Sequence, residues 1–148
     1  MTEDYNPDPV RFNAELIAEF RAHDGHLSGM FANSYLVVLT TTGAITGIDR
    51  SVPIGNWTVD GKLMVVASGN ASPTEPHWYR NLLADPEVGV ELATPSGIER
   101  FEARARVVEG AERERLWPLL LEQAPFFADH QAQIDRELPL IVLEPAAT

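Results

Sequence analysis

The chain contains no cysteine. Disulfides, thiolate catalysis and cysteine-ligated zinc are therefore excluded. Lysine is almost as scarce: Lys62 is the only one among 11 basic residues, against 22 acids, for a net charge of −11. Nucleic acid is a poor partner for such a field, because neutralising phosphates takes clustered Lys and Arg. No hydrophobic run approaches the ~18 residues of a membrane span. The first ten residues, MTEDYNPDPV, are acidic and carry prolines, unlike a secretory signal or transit peptide, so a cytoplasmic location is expected. Neither G-x-G-x-x-G, G-x-x-x-x-G-K nor G-x-S-x-G occurs, which argues against a Rossmann nicotinamide site, a P-loop and a hydrolase elbow. The histidines fall at 23, 26, 77 and 130, too scattered for a metal cluster. His23 and His26 straddle Gly25 with no third ligand near.

What is present suits a folded globule: 148 residues, 45% apolar and 22% charged. That length fits a single domain, read as residues 9–145 with short tails at 1–8 and 146–148. Pro9 to His23 places Phe12, Leu16, Ile17 and Phe20 on one face, the pattern of an amphipathic helix that stops at Asp24-Gly25. Ser34 to Thr42 is β-branched and apolar, a buried strand. After a tight connection at Gly43–Asp49, Arg50 to Val59 reads as one strand. Asp60-Gly61 is a two-residue hairpin signal, so Lys62–Ser68 pairs antiparallel with it. Val88–Thr94 and Ile98–Glu109 form a second hairpin about Pro95-Ser96-Gly97. Helices are expected at Ala111–Gln123, kinked at Pro118, and at Pro125–Glu137, before a closing strand at Leu138–Leu143. About six mostly antiparallel strands with flanking helices make an α+β fold, a small barrel rather than a doubly wound sheet.

The most informative stretch is Ser68 to Pro86. A strand ends in small residues and feeds a short helix bearing His77, Trp78, Tyr79, Arg80 and Asn81. Its cap reads as Ser72, in a capping box with Glu75, or as Thr74. A loop entering a helix N-terminus concentrates free backbone N–H groups. Together with two aromatics, an arginine and an amide, they suit a pocket for a flat, anionic ligand. The plainer alternative is that Trp78 and Leu82, spaced i, i+4, simply pack the helix onto a core.

Glu19-Phe20-Arg21-Ala22, Leu39-Thr40-Thr41-Thr42-Gly43, Thr46-Gly47, Arg50, Pro53, Ala67-Ser68, Pro76-x-Trp78-Tyr79-x-Asn81-Leu82 and Asp85-Pro86-x-Val88 occur in that order. Trp117-Pro118, Pro125 and Arg136-x-Leu138-Pro139-x-Ile141-Val142-x-Glu144-Pro145 follow. From about Phe12 to Pro145 the chain resembles the deazaflavin-dependent nitroreductases, oxidoreductases with a split β-barrel fold. The resemblance implies coenzyme F420, a flat deazaflavin with a phosphate and an oligoglutamate tail, and hydride transfer to an activated alkene, quinone or nitro compound. It also implies cofactor contacts from Thr46, Arg50, Ser51, Val52, Val66, Ala67, Ser68, Gly69, His77, Trp78, Tyr79, Arg80 and Asn81. Substrate contacts fall to Ala124, Phe127 and His130, and the proton donor comes from His130, Ser68 or Tyr79. Such barrels occur as monomers and as homodimers. Two departures stand out. Ala44, Ile45 and Gly69 occupy positions that are usually basic in the family, and Ala124, Phe127 and His130 lie where tyrosines are common. They leave a second expectation: a cofactor-free descendant that binds an apolar metabolite, either as an acid–base isomerase or cyclase or without catalysis.

Overall fold

The computed structural model describes residues 9–27, 36–69 and 71–146, with side chains from residue 13 onward. The elements are α1 (Pro9–Ala22), β1 (Val37–Thr42), β2 (Asp49–Ile54), β3 (Trp57–Val59), β4 (Lys62–Val66) and α2 (His77–Ala84). They continue with β5 (Glu87–Thr94), β6 (Gly97–Val107), α3 (Gly110–Gln123), α4 (Phe126–Gln133) and β7 (Leu140–Pro145). One antiparallel sheet runs β2-β1-β5-β6-β7-β4-β3. Its two edge strands, β2 and β3, are joined only through Gly55 and Asn56. So short a link spans roughly 10 Å at most. The sheet must therefore curl until its edges come together, which makes it a split barrel.

The expected single strand Arg50–Val59 is thus corrected to two, and about six strands become seven. The chain changes partner midway: residues 49–54 pair with β1 and residues 57–59 with β4. The break falls at Gly55, where a Cβ would sit 3.1 Å from the Trp57 ring. The Asp60-Gly61 hairpin forms as expected, with positive φ at both residues (53° and 75°), the requirement of a type I′ turn. Ser34 and Tyr35 of the first expected strand lie outside the described residues, as does the side chain of Phe12.

Period-2 alternation sorts the strands between two faces. Val37 and Leu39 of β1, Val65 on β4 with Ala67 just beyond it, Ala103 and Ala105 of β6, and Ile141 and Leu143 of β7 form the barrel interior, against Trp78, Tyr79 and Leu82 of α2. Met64, Val66, Leu140 and Val142 face outward and pack under α3 and α4 on Leu116, Leu120, Ala124 and Phe127. Ile17, Phe20 and Leu27 cover Val38 and Ala93, with Leu16 packed alongside.

Two helix ends differ from expectation. The capping box at Ser72 and Glu75 does not form, and α2 begins after Pro76 with no side-chain cap. Ser72 Oγ instead accepts the Thr74 N–H at 3.2 Å. Pro73 and Pro76 withhold two amides from the segment, so it stays irregular until the second proline is passed. Helix α4 stops at Gln133 instead of reaching Glu137. The Gln131 side chain ends it by donating to Arg136 O and accepting from Leu138 N, both at 2.8 Å. No helix among the described residues is long and apolar enough to cross a membrane.

Candidate active site at the mouth of the barrel

Two pieces of chain meet α2, the 43–48 turn that precedes β2 and the segment that leads in from β4, and the end of α4 reaches the second of them through His130. Asn81 ties the first of these to the helix. Its Oδ1 accepts the Ala44 N–H at 3.0 Å, and its Nδ2 donates to Thr41 Oγ1 at 3.1 Å. Thr41 lies directly opposite Arg50 in the β1–β2 register. Opposed residues of an antiparallel pair project to the same face, so Arg50 shares the face that α2 covers. Val52 follows on that face, packed against the core that contains Trp78 and Tyr79. Ser51 points the other way and shares a 2.7 Å hydrogen bond with Thr40.

The same alternation divides the end of β4. Ala67 is on the α2 face, whereas Val66 belongs with Ala124 and Phe127 under α4. Ser68 is only 4% exposed. Its Oγ accepts the Ala71 N–H at 3.0 Å and shares a 2.8 Å hydrogen bond with His130 Nδ1, whose direction follows the imidazole tautomer. The two residues are 62 positions apart, and no spacing rule connects them. His130 rests against the rings of Phe126 and Phe127, each 5.5 Å from its own centroid. Gly69 turns with φ 59° and is exposed.

Trp78 and Tyr79 are each 8% exposed and belong to the interior core with Leu82, so they offer at most an edge to a ligand. The Tyr79 hydroxyl is pushed above the ordinary phenol value by burial, then by Glu75 and Glu109, with Arg136 opposing. It stays protonated at neutral pH. His77 and Arg80 are exposed, and so are Thr46 and Arg50. Ala124 and Phe127 are buried. Of the three expected substrate contacts, His130 alone reaches the 67–72 segment.

Cations are distributed unevenly. Arg21 and Arg100 pair with Glu91, Arg104 with Glu87, Arg106 with Glu144, Arg113 with Glu137, and Arg115 and Lys62 with Asp60. Arg136 donates to the carbonyls of Ala67, Ser68 and Ser72. Arg50 and Arg80 have no partner among the described residues. Arg80 is on α2, and Arg50 is on β2, the strand that follows the turn tied to α2 by Asn81. Ile45, in that turn, is 98% exposed.

Residues 12–145 match the family model of the F420H(2)-dependent quinone reductases. The chain belongs to that family. An F420H(2)-dependent quinone reductase of Mycobacterium tuberculosis (H37Rv strain) is 32% identical over 111 residues, 72% of this chain and 71% of the relative. A solved F420-H2-dependent reductase superposes with a TM-score of 0.61 at 37% identity, over 74% of this chain and 93% of that one. A structure described as a domain-swapped dimer gives 0.65 at 33% identity, over 93% of this chain and 100% of the other. The chain is thus an F420-dependent oxidoreductase with the split-barrel fold of this family. The chemistry of the donors near α2 suits a cofactor with anionic portions, since Arg80 on α2 and Arg50 on β2 have no side-chain partner among the described residues. Sequence reasoning passed over Arg136 as anything more than part of a motif. Its three carbonyl acceptors lie 64–69 residues away, and only the fold reveals them.

Proposed function

We propose that this reductase family member passes a hydride from reduced coenzyme F420 to an activated alkene, quinone or nitro compound. The observation that carries the reading is the pair of arginines without a side-chain partner among the described residues, Arg50 and Arg80, where the other described arginines and Lys62 are engaged. When bound, the cofactor supplies the hydride from its reduced deazaflavin ring. Arg50 and Arg80 hold its phosphate and carboxylates, helped by the uncapped amides of His77 and Trp78 at the start of α2. Thr46 and His77 border that anion. Val52, Ala67 and the buried edges of Trp78 and Tyr79 form the apolar floor. Ser68 Oγ and His130 Nδ1 share a proton at the end of the small-residue segment. Delivered to the substrate, that proton completes the two-electron reduction begun by the hydride. Gly69 leaves room for close approach, while Asn81 fixes the 43–48 turn.

Titration of the purified protein with oxidised F420 is expected to quench the cofactor's fluorescence at micromolar protein. Arg50→Ala and Arg80→Ala each weaken binding about ten-fold, as expected for loss of one charge-assisted contact at an exposed site. Absence of quenching at tens of micromolar would sink the reading. It would favour a cofactor-free relative that binds an apolar metabolite, for which exposed Ile45 at the mouth is the supporting observation.

A further inference from the structure

We infer that Arg136 is a positioning residue for this reaction, locking the Ser68 hydroxyl against His130; the inference rests on the reductase reading above. The guanidinium donates through Nε to Ser72 O at 3.1 Å, through one terminal nitrogen to Ala67 O at 3.0 Å, and through the other to Ser68 O at 2.9 Å. A planar fork with all three nitrogens engaged on one loop fixes that loop's orientation as well as its position. The loop needs such a restraint. Ala71 sits at φ 62°, a left-handed conformation that strains a residue other than glycine.

Among the described residues of the loop, two local bonds lead back to Ser68. Ser72 N–H donates to Ser68 O at 3.1 Å, and Ala71 N–H to Ser68 Oγ. Both converge on Ser68, whose carbonyl Arg136 also holds. The arginine is itself held from behind, because Gln131 donates to Arg136 O and accepts from Leu138 N. Gln131 neighbours His130 on α4. One helix therefore supplies the imidazole that meets Ser68 and the amide that sets the arginine gripping the Ser68 backbone. The circuit closes through α4, residues 134–138 and residues 67–72. An error in any link moves the hydroxyl relative to the imidazole, and proton delivery is sensitive to displacements well under 1 Å. Arg136 carries no carboxylate partner among the described residues, so ion pairing does not account for its placement.

The experiment uses Arg136→Ala and Arg136→Lys, the second keeping the charge and losing the fork. In cofactor-free protein, amide exchange at Ala71 and Ser72 is expected to quicken about ten-fold or more in both variants, as it does when a local restraint is removed. With F420 and a quinone, kcat falls about ten-fold or more. Cofactor affinity falls much less than kcat, because Arg50 and Arg80 supply most of it. Added guanidinium restores part of the Arg136→Ala rate, whereas ammonium does not. Unchanged exchange, or unchanged kcat, overturns the inference, as does equal loss of cofactor affinity and rate. If Arg136→Ala does not fold, Arg136→Lys decides by the same measurements. Failure of the reductase reading looks different: the wild-type protein then fails to quench F420, and the positioning role in reduction falls with it.

Discussion

At the scale of single residues, Asn81 joins α2 to β1 and to the turn that follows it. Both ends of its amide are committed, to the Ala44 amide and to the nearly inaccessible Thr41 hydroxyl. Asn81→Ala leaves a buried hydroxyl and a turn amide without this partner, at a cost of about 1–3 kcal/mol. Asn81→Asp keeps both bonds available, with Thr41 donating, but adds a negative charge beside the proposed anion site. Urea denaturation is expected to show a large loss for the alanine variant and a small one for the aspartate. F420 titration is expected to show the aspartate variant binding more weakly than its stability implies. Asn81, Ser68 and His130 were each legible as candidates from residue type and place in a motif. Their contacts were not, because a bond between residues 62 apart leaves no trace in local spacing. The alternation that turns Ser51 and Val66 away from α2 was legible in principle. It needed the register, which only pairing fixes.

At the scale of elements, α1 is held to the sheet by more than its apolar face. Arg21 makes two hydrogen bonds to Glu91 on β5, at 2.9 and 2.6 Å, and Arg100 adds a 3.5 Å contact from β6. The Arg21 hydrogen bond is the main cause that holds the Glu91 carboxyl below its ordinary 4.5. A carboxylate whose folded pKa is lowered gives stability that is present above the unfolded value. That stability is lost as pH falls through the folded value. Glu91→Gln is therefore expected to lower the unfolding free energy at pH 7 by about 1 kcal/mol, as for a partly exposed pair. The gap from wild type narrows below about pH 4.5. Equal gaps at pH 7 and pH 3 would mean that the carboxylate's charge plays no part. Element positions were largely readable from apolar period and turn residues, as the Asp60-Gly61 hairpin illustrates. The ends of α2 and α4 were not, since two prolines and a glutamine side chain decide them. The division of one strand at Gly55 was hidden for a related reason: the residues on either side are both strand-like, and only their partners differ.

For the whole molecule, closure of the sheet and net charge set opposite conditions for ligand capture. The curled sheet lets β1, β2 and the end of β4 converge around α2, so Arg50 can share a face with Arg80's helix. The field around that face is set by −11 charges, which repel a phosphate-bearing cofactor before the arginines can attract it. Screening acts first on the distant charges, because the Debye length shrinks from about 30 Å at 0.01 M salt to about 8 Å at 0.15 M. The association rate of F420 is therefore expected to rise about two- to five-fold over that range, opposite to the usual trend for an anion entering a cationic site. Changing exposed Glu102 and Glu114 to lysine shifts the net charge from −11 to −7, two units of charge at each of two positions. It is expected to speed association at low salt and flatten the salt dependence, with dissociation unchanged. Stopped-flow fluorescence at three ionic strengths measures both. A rate that falls with salt in the wild type would mean that Arg50 and Arg80 govern the encounter as well as the grip.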